Sequence, residues 1–127
     1  MKEPAIHLSL DAANGDYRPG SSLRGELRFS NMAPDDVRSI EVSVLWHTLG
    51  KGEEDLFVHF FQRETISEST NAVLAPRQFE TLLPNSPLSY DGVLIKIGWC
   101  ARARVYLRRS RELMVETRFR LTMQTTL

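Results

Sequence analysis

Residues 83–104 read LPNSPLSYDGVLIKIGWCARAR. Pro84 and Pro87 interrupt any pairing, and Gly92 permits a sharp re-entry into a long strand. Val93, Ile95, Ile97, Trp99, Ala101, Ala103, Val105 and Leu107 then occupy every second position, the spacing of a strand with one buried face. Leu113, Val115, Phe119, Leu121 and Met123 continue that parity beyond Arg108-Arg109-Ser110. A three-residue loop at 108–110 places Leu107 opposite Arg111, Val105 opposite Leu113, Trp99 opposite Phe119 and Ile97 opposite Leu121. On the other face Arg102 then meets Glu116, a cross-strand ion pair worth ~0.2–1 kcal/mol. A slip of one residue would set apolar positions against charged ones, so this register is well specified.

The same period runs outward through the chain. Ala5 to Leu10 reads as a first strand, followed by the turn pairs Asn14-Gly15 and Pro19-Gly20. Leu23, Leu27 and Phe29 alternate with Arg24, Glu26 and Arg28. Gly25 falls on the apolar face, where it marks a bulge or the close approach of another segment. Ile40, Val42, Val44 and Trp46 form a further face. Gly50-Lys51-Gly52-Glu53 reads as a hairpin turn into a strand from Leu56 to Ile66, apolar on both faces at its start. Phe79 to Leu83 follows. No segment with a helical period competes. The sequence therefore predicts an all-β fold: an antiparallel two-sheet β-sandwich of about seven strands, immunoglobulin-like in architecture.

At 127 residues the expectation is one domain spanning 1–127. A chain of this size buries roughly two-thirds of its extended surface, enough for a core without disulfide or metal. Sixteen basic residues balance sixteen acidic ones, so the net charge favours neither nucleic acid nor an acidic membrane. The single cysteine, Cys100, excludes an internal disulfide and fits a reducing compartment. The stretch MKEPAIHLSL lacks the apolar run of a signal peptide, and no run reaches the ~18 residues of a membrane helix. The expectation is a cytoplasmic protein with no integral membrane segment.

Two motifs carry a family resemblance. Tyr17-Arg18-Pro19-Gly20, followed by Leu23 and Gly25, resembles the entrance to the second strand of arrestin-like N-terminal domains. Leu83-Pro84, then Ser89-Tyr90-Asp91-Gly92, then Ile97, Trp99 and Ala103, is similar to the later motif of that family. The resemblance implies β-sandwich lobes like those of arrestins, the arrestin-like subunit of retromer and the sporulation-control proteins. It further implies a non-catalytic adaptor or scaffold that binds protein. Those relatives generally have two lobes, whereas this chain has room for one. It contains no Pro-Pro-x-Tyr motif, and no functional residue carries over.

Candidate sites come from the residues themselves. Arg102, Arg104, Arg118 and Arg120, with Lys96, share the outer face of the C-terminal hairpin, and Arg108, Arg109 and Arg111 sit at its tip. This is either a basic strip for an acidic or phosphorylated peptide or a solvated face with local ion pairs. Phe57 and Phe61, on the parity opposite Phe60, form either a partner-binding patch, including that of a homodimer, or covered core. His47 and His59 become neighbours if the Gly50–Glu53 turn pairs their strands suitably, giving half a metal site. Nearby arginines favour a lowered pKa at Cys100. There is no nucleophile elbow, phosphate loop, dinucleotide fingerprint or zinc motif, so neither enzyme nor cofactor is expected. The expected function is a protein–protein interaction module. A self-assembling homo-oligomer is the alternative, and a small metal-dependent hydrolase the remote one.

Overall fold

The computed structural model describes residues 3–123; residues 1, 2 and 124–127, both ends of the expected 1–127 domain and the start of the stretch read for a signal peptide, lie outside the described residues. The strands are β1 (Ala5–Leu10), β2 (Asp16–Tyr17), β3 (Ser22–Ser30), β4 (Val37–Gly50), β5 (Glu53–Thr65), β6 (Arg77–Leu82), β7 (Tyr90–Asp91), β8 (Lys96–Leu107) and β9 (Arg111–Leu121). Two of the nine are two-residue bridges, which leaves the seven long strands that the period-two segments indicate. A three-stranded sheet has the order β1-β3-β6. It faces a six-stranded sheet ordered β2-β9-β8-β4-β5, with β7 alongside the start of β8.

The C-terminal hairpin keeps the expected register: Leu107 faces Arg111, Val105 faces Leu113, Trp99 faces Phe119 and Arg102 faces Glu116. Beyond Trp99 two expectations fail. Ile97 pairs with Tyr90 of β7, because both backbone groups of Leu121 are taken by Ser89, whose N–H donates to the Leu121 carbonyl at 2.8 Å and whose Oγ accepts from the Leu121 N–H at 2.9 Å. The β2–β9 pairing is parallel, so the large sheet is mixed and not purely antiparallel. Val93 and Ile95 do not face the core either. The Gly92 N–H donates to the Ile95 carbonyl at 3.0 Å, closing a tight turn that leaves Val93, Leu94 and Ile95 in solvent. Met123, past the end of β9, is exposed as well.

The core lies between the inner faces of the two sheets. Ile6, Leu8, Leu23, Leu27 and Phe79 come from the small sheet, and Val42, Val44, Trp99, Ala101, Ala103, Val105, Phe119 and Leu121 from the large one. Ala101 and Ala103 are fully buried; side chains this small let β1 cross close over β8. Gly25 marks a close approach, since it lies directly beneath the ring of Phe79.

The two motifs that carry the family resemblance meet in space. The Gly20 N–H donates to the Leu83 carbonyl, and the Leu83 N–H to the Ser21 carbonyl. Gly20 adopts φ +77°, a left-handed conformation that glycine accepts readily. Tyr17 is buried, edge-on to Phe119. Its hydroxyl donates to Asp11 Oδ1 at 2.6 Å and accepts from the Ala12 N–H at 3.0 Å. Burial, reinforced by the Asp11 hydrogen bond, pushes the Tyr17 phenol from its ordinary value of 10.0 up to about 12. Folding therefore favours the protonated phenol. That stabilisation is complete below pH 10 and is lost as pH rises to about 12. In urea titrations at stepped pH, the stability gap between wild type and Tyr17→Phe should be constant to pH 10 and shrink above it. A gap that stays constant to pH 12 would contradict the assignment.

Candidate functional site

β5 is the outermost strand of the large sheet, so one backbone edge has no strand beside it among the described residues. It is also long and apolar. Leu56, Phe57, Val58 and Phe61 remain 43%, 44%, 57% and 55% exposed. Soluble proteins usually blunt such an edge with charge, proline or a covering segment. Here Glu53, Glu54 and Asp55 are confined to one end, and the middle carries no charge.

The register shifts between Val44 and Leu45, leaving His59 as an extra residue in β5. This bulge corrects the expected Phe57/Phe61 patch. Phe57 faces Trp46 and Phe60 faces Val44, both on the inner side, whereas Phe61 faces Ser43 and Val58 faces Leu45 on the outer side. Phe57 stacks on Trp46 with centroids 4.1 Å apart, and Phe60 lies over Phe79. The two exposed phenylalanines thus stand on opposite faces of one edge, and Leu56 and Val58 take the place of Phe57 beside Phe61.

The arginine face is largely self-neutralised. Arg102 pairs with Glu116 at 3.2 Å, Arg104 with Glu112 at 3.5 Å and Arg120 with Asp16 at 3.9 Å. Lys96 pairs with Asp91 and Arg111 with Glu3. Among the four arginines expected to form a strip, only Arg118 has no carboxylate partner among the described residues. Cys100 is buried, and its thiol donates to Glu116 Oε2 at 3.6 Å. Burial and then the Glu116 charge push the thiol up to about 11, opposite to the shift expected from the arginines. It remains protonated and unreactive at neutral pH.

His47 and His59 are not neighbours. His47 lies on the outer face over Gly98, while the bulge turns His59 inward, edge-on to Trp99, with Nε2 at 2.7 Å from the Leu82 carbonyl. Among the described residues no group of three or more His, Cys, Asp and Glu side chains is arranged to hold a metal, and no helix is long and apolar enough to cross a membrane. Alternation alone assigned Val93 and Ile95 to the core and so missed a second exposed apolar feature, the Val93-Leu94-Ile95 tip beside Leu49 and Tyr90.

No protein-family model matches the sequence, and no curated protein matches it. Solved structures do match its fold. Spo0M, the sporulation control protein from Bacillus subtilis, superposes with a TM-score of 0.68 at 14% identity, over 98% of this chain and 51% of that one. The chain therefore spans about half the length of Spo0M. The superoxide reductase neelaredoxin from Ignicoccus hospitalis matches with a TM-score of 0.57 at 10% identity, over 93% of this chain and 80% of its own. The fold is an arrestin-like β-sandwich, as the two turn motifs indicate.

Proposed function

We propose that this chain is a non-catalytic, cytoplasmic interaction module of adaptor or scaffold type that takes a protein partner as an added strand on β5. The fold does not choose between functions, since a control protein and a reductase both resemble it. The reading rests on one surface observation: a thirteen-residue edge strand, paired on one side only, whose apolar side chains stand exposed on both faces. Strand addition draws affinity from main-chain hydrogen bonds and specificity from alternate side chains. Leu56, Val58 and Phe61 would contact the outer side chains of the added strand, and Phe57 its inner ones.

A self-assembling role is the second reading, and the edge itself favours it. With His59 as the bulge, a two-fold axis through the Val58/His59 position sets Leu56 opposite Phe61 of a second copy and Phe57 opposite its Phe60. Glu54 then meets the Arg63 of that copy on the outer face. Every one of these pairs shares a face, as an isologous interface requires.

One experiment separates the readings. With a photo-crosslinking phenylalanine analogue in place of Val58, irradiation in cells should trap an adduct with a different protein. An adduct of twice the monomer mass would favour self-assembly, and no adduct at all would remove β5 as the docking edge. Phe61→Lys should weaken the trapped interaction about thirty-fold, the lower range for an interface anchor, while urea unfolding of the free chain changes little.

A further inference from the structure

Four arginines line one cleft at the end of the large sheet away from the β4–β5 turn. Arg38 is the extra residue of a second bulge, where the β4–β8 register shifts between Val37 and Ser39. Arg63 stands on the outer face near the end of β5, and Arg108 and Arg109 form the β8–β9 turn. Together with Ser67 and Ser69 they line a cleft of about 690 Å³.

Most arginines outside the cleft are committed to carboxylates; Arg18 and Arg118, which do not line it, are the exceptions among the described residues. Arg24, Arg28, Arg77, Arg102, Arg104, Arg111 and Arg120 each hold a carboxylate. Arg38, Arg63, Arg108 and Arg109 have no ion-pair partner among the described residues. Of the nearby carboxylates, one is committed to another arginine. Glu64 is clamped by both Nε and Nη2 of Arg77 at 3.0 and 2.9 Å. Glu41, opposite Arg63 in register, accepts from the Tyr106 hydroxyl at 3.4 Å and lines the adjoining depression with Arg102 and Arg104. Glu68, between the two serines, lines the depression beside Arg77.

The tip adds a second observation. Arg109 and Ser110 both adopt positive φ, 66° and 61°, a region that side-chain-bearing residues enter at a cost and that glycine or asparagine would suit better. An arginine therefore occupies a turn position that disfavours it, at the cleft wall.

We propose that this cleft binds a compact, multiply charged phosphate anion of the kind that a soluble diphosphate or triphosphate group presents. Guanidinium forks match phosphate oxygens, and serine hydroxyls donate to those that remain. Four like charges gathered in one concavity repel one another, and a polyanion relieves that repulsion. A single orthophosphate would fill little of the cleft. Its polar rim offers no apolar anchor for a bilayer, which favours a soluble anion over a lipid headgroup.

Calorimetry of the whole chain at low salt should show saturable one-to-one binding, tightening from orthophosphate through pyrophosphate to tripolyphosphate and weakening as salt rises. Arg38→Ser and Arg109→Gly should each weaken tripolyphosphate binding about tenfold or more, and Arg18→Ser, remote from the cleft, should not. Arg63 is left unchanged because the paired-edge register would turn it toward a second copy. Arg109→Gly relieves the turn, so its melting temperature should equal or exceed that of wild type, which separates lost binding from lost folding. Absence of saturable binding, or an equal loss with Arg18→Ser, would overturn the proposal. So would retention on vesicles containing phosphatidylinositol bisphosphate without tripolyphosphate binding, which would point to a membrane. A phosphoserine peptide that binds without competition from tripolyphosphate would also overturn it, pointing to a protein ligand.

Discussion

Trp99→Ala is expected to lower the unfolding free energy by about 3–5 kcal/mol, the range for removing a buried tryptophan. Trp99 is 1% exposed at the middle of the core. Its ring lies 5.7 Å from that of Phe119, 6.0 Å from His59 and 6.4 Å from Trp46, centroid to centroid. The substitution would leave a large cavity between strands that cannot collapse onto it without breaking the β4–β8–β9 register. The indole also makes a polar contact: its N–H donates to the Pro87 carbonyl at 2.8 Å, which ties the proline-rich turn to the strand that follows. Trp99→Phe keeps most of the apolar volume and loses that bond, so it should cost less, about 1–3 kcal/mol. Against a typical domain stability of ~5–15 kcal/mol, the alanine variant should unfold at far lower urea concentration. Equal losses for the two substitutions would show that the hydrogen bond, not the packing, dominates.

Gly25→Ala is expected to destabilise by about 1–3 kcal/mol, the cost of overpacking a filled core. In an ordinary strand the same change is mildly stabilising, by ~0.5–1 kcal/mol, so the sign is itself diagnostic. A β-carbon at this position would stand 2.2 Å from Cζ and 2.5 Å from Cε1 of Phe79. Phe79 cannot swing aside, because it is buried and stacked on Phe60. Gly25 and Phe79 are direct cross-strand partners, with the ring filling the space that a side chain would otherwise take. The double variant Gly25→Ala/Phe79→Leu should therefore cost less than the two single changes summed. Strict additivity would show that the ring does not constrain position 25.

Alternation made most of this architecture legible. The hairpin register from Trp99 to Leu107 could be read because every one-residue slip sets charge against apolar surface. Alternation says nothing, however, about where a ladder stops. Ile97, Ile95 and Val93 keep the parity of Trp99, yet Ile97 pairs with β7 in place of β9, and Ile95 and Val93 lie in the turn between β7 and β8. Parity also fails at a bulge. Phe57 and Phe61 share odd numbers, and only the extra residue His59 sets them on opposite faces. Cys100 has arginines for sequence neighbours, but its pKa follows burial and Glu116, sixteen residues away. The arginine cleft was half visible. Arg108 and Arg109 stand out at the hairpin tip, while Arg38, Arg63, Ser67 and Ser69 join them only once three strands and a loop have converged.

The order of the large sheet also governs when the molecule can form. β9 is the last long strand of the chain, yet it lies between β2 and β8, and Thr117 on it donates to the carbonyl of Leu8 at 2.8 Å. As the chain leaves the ribosome, the β4–β5 hairpin can close early and the β1-β3-β6 sheet can pair. Their inner faces nonetheless stay open until the C-terminal hairpin inserts. Contacts as distant in sequence as Leu8 and Thr117 make folding slow and hold it back until β9 has emerged. Throughout that interval the apolar edge of β5 is accessible, so whatever docks there has its first opportunity before the sandwich is complete.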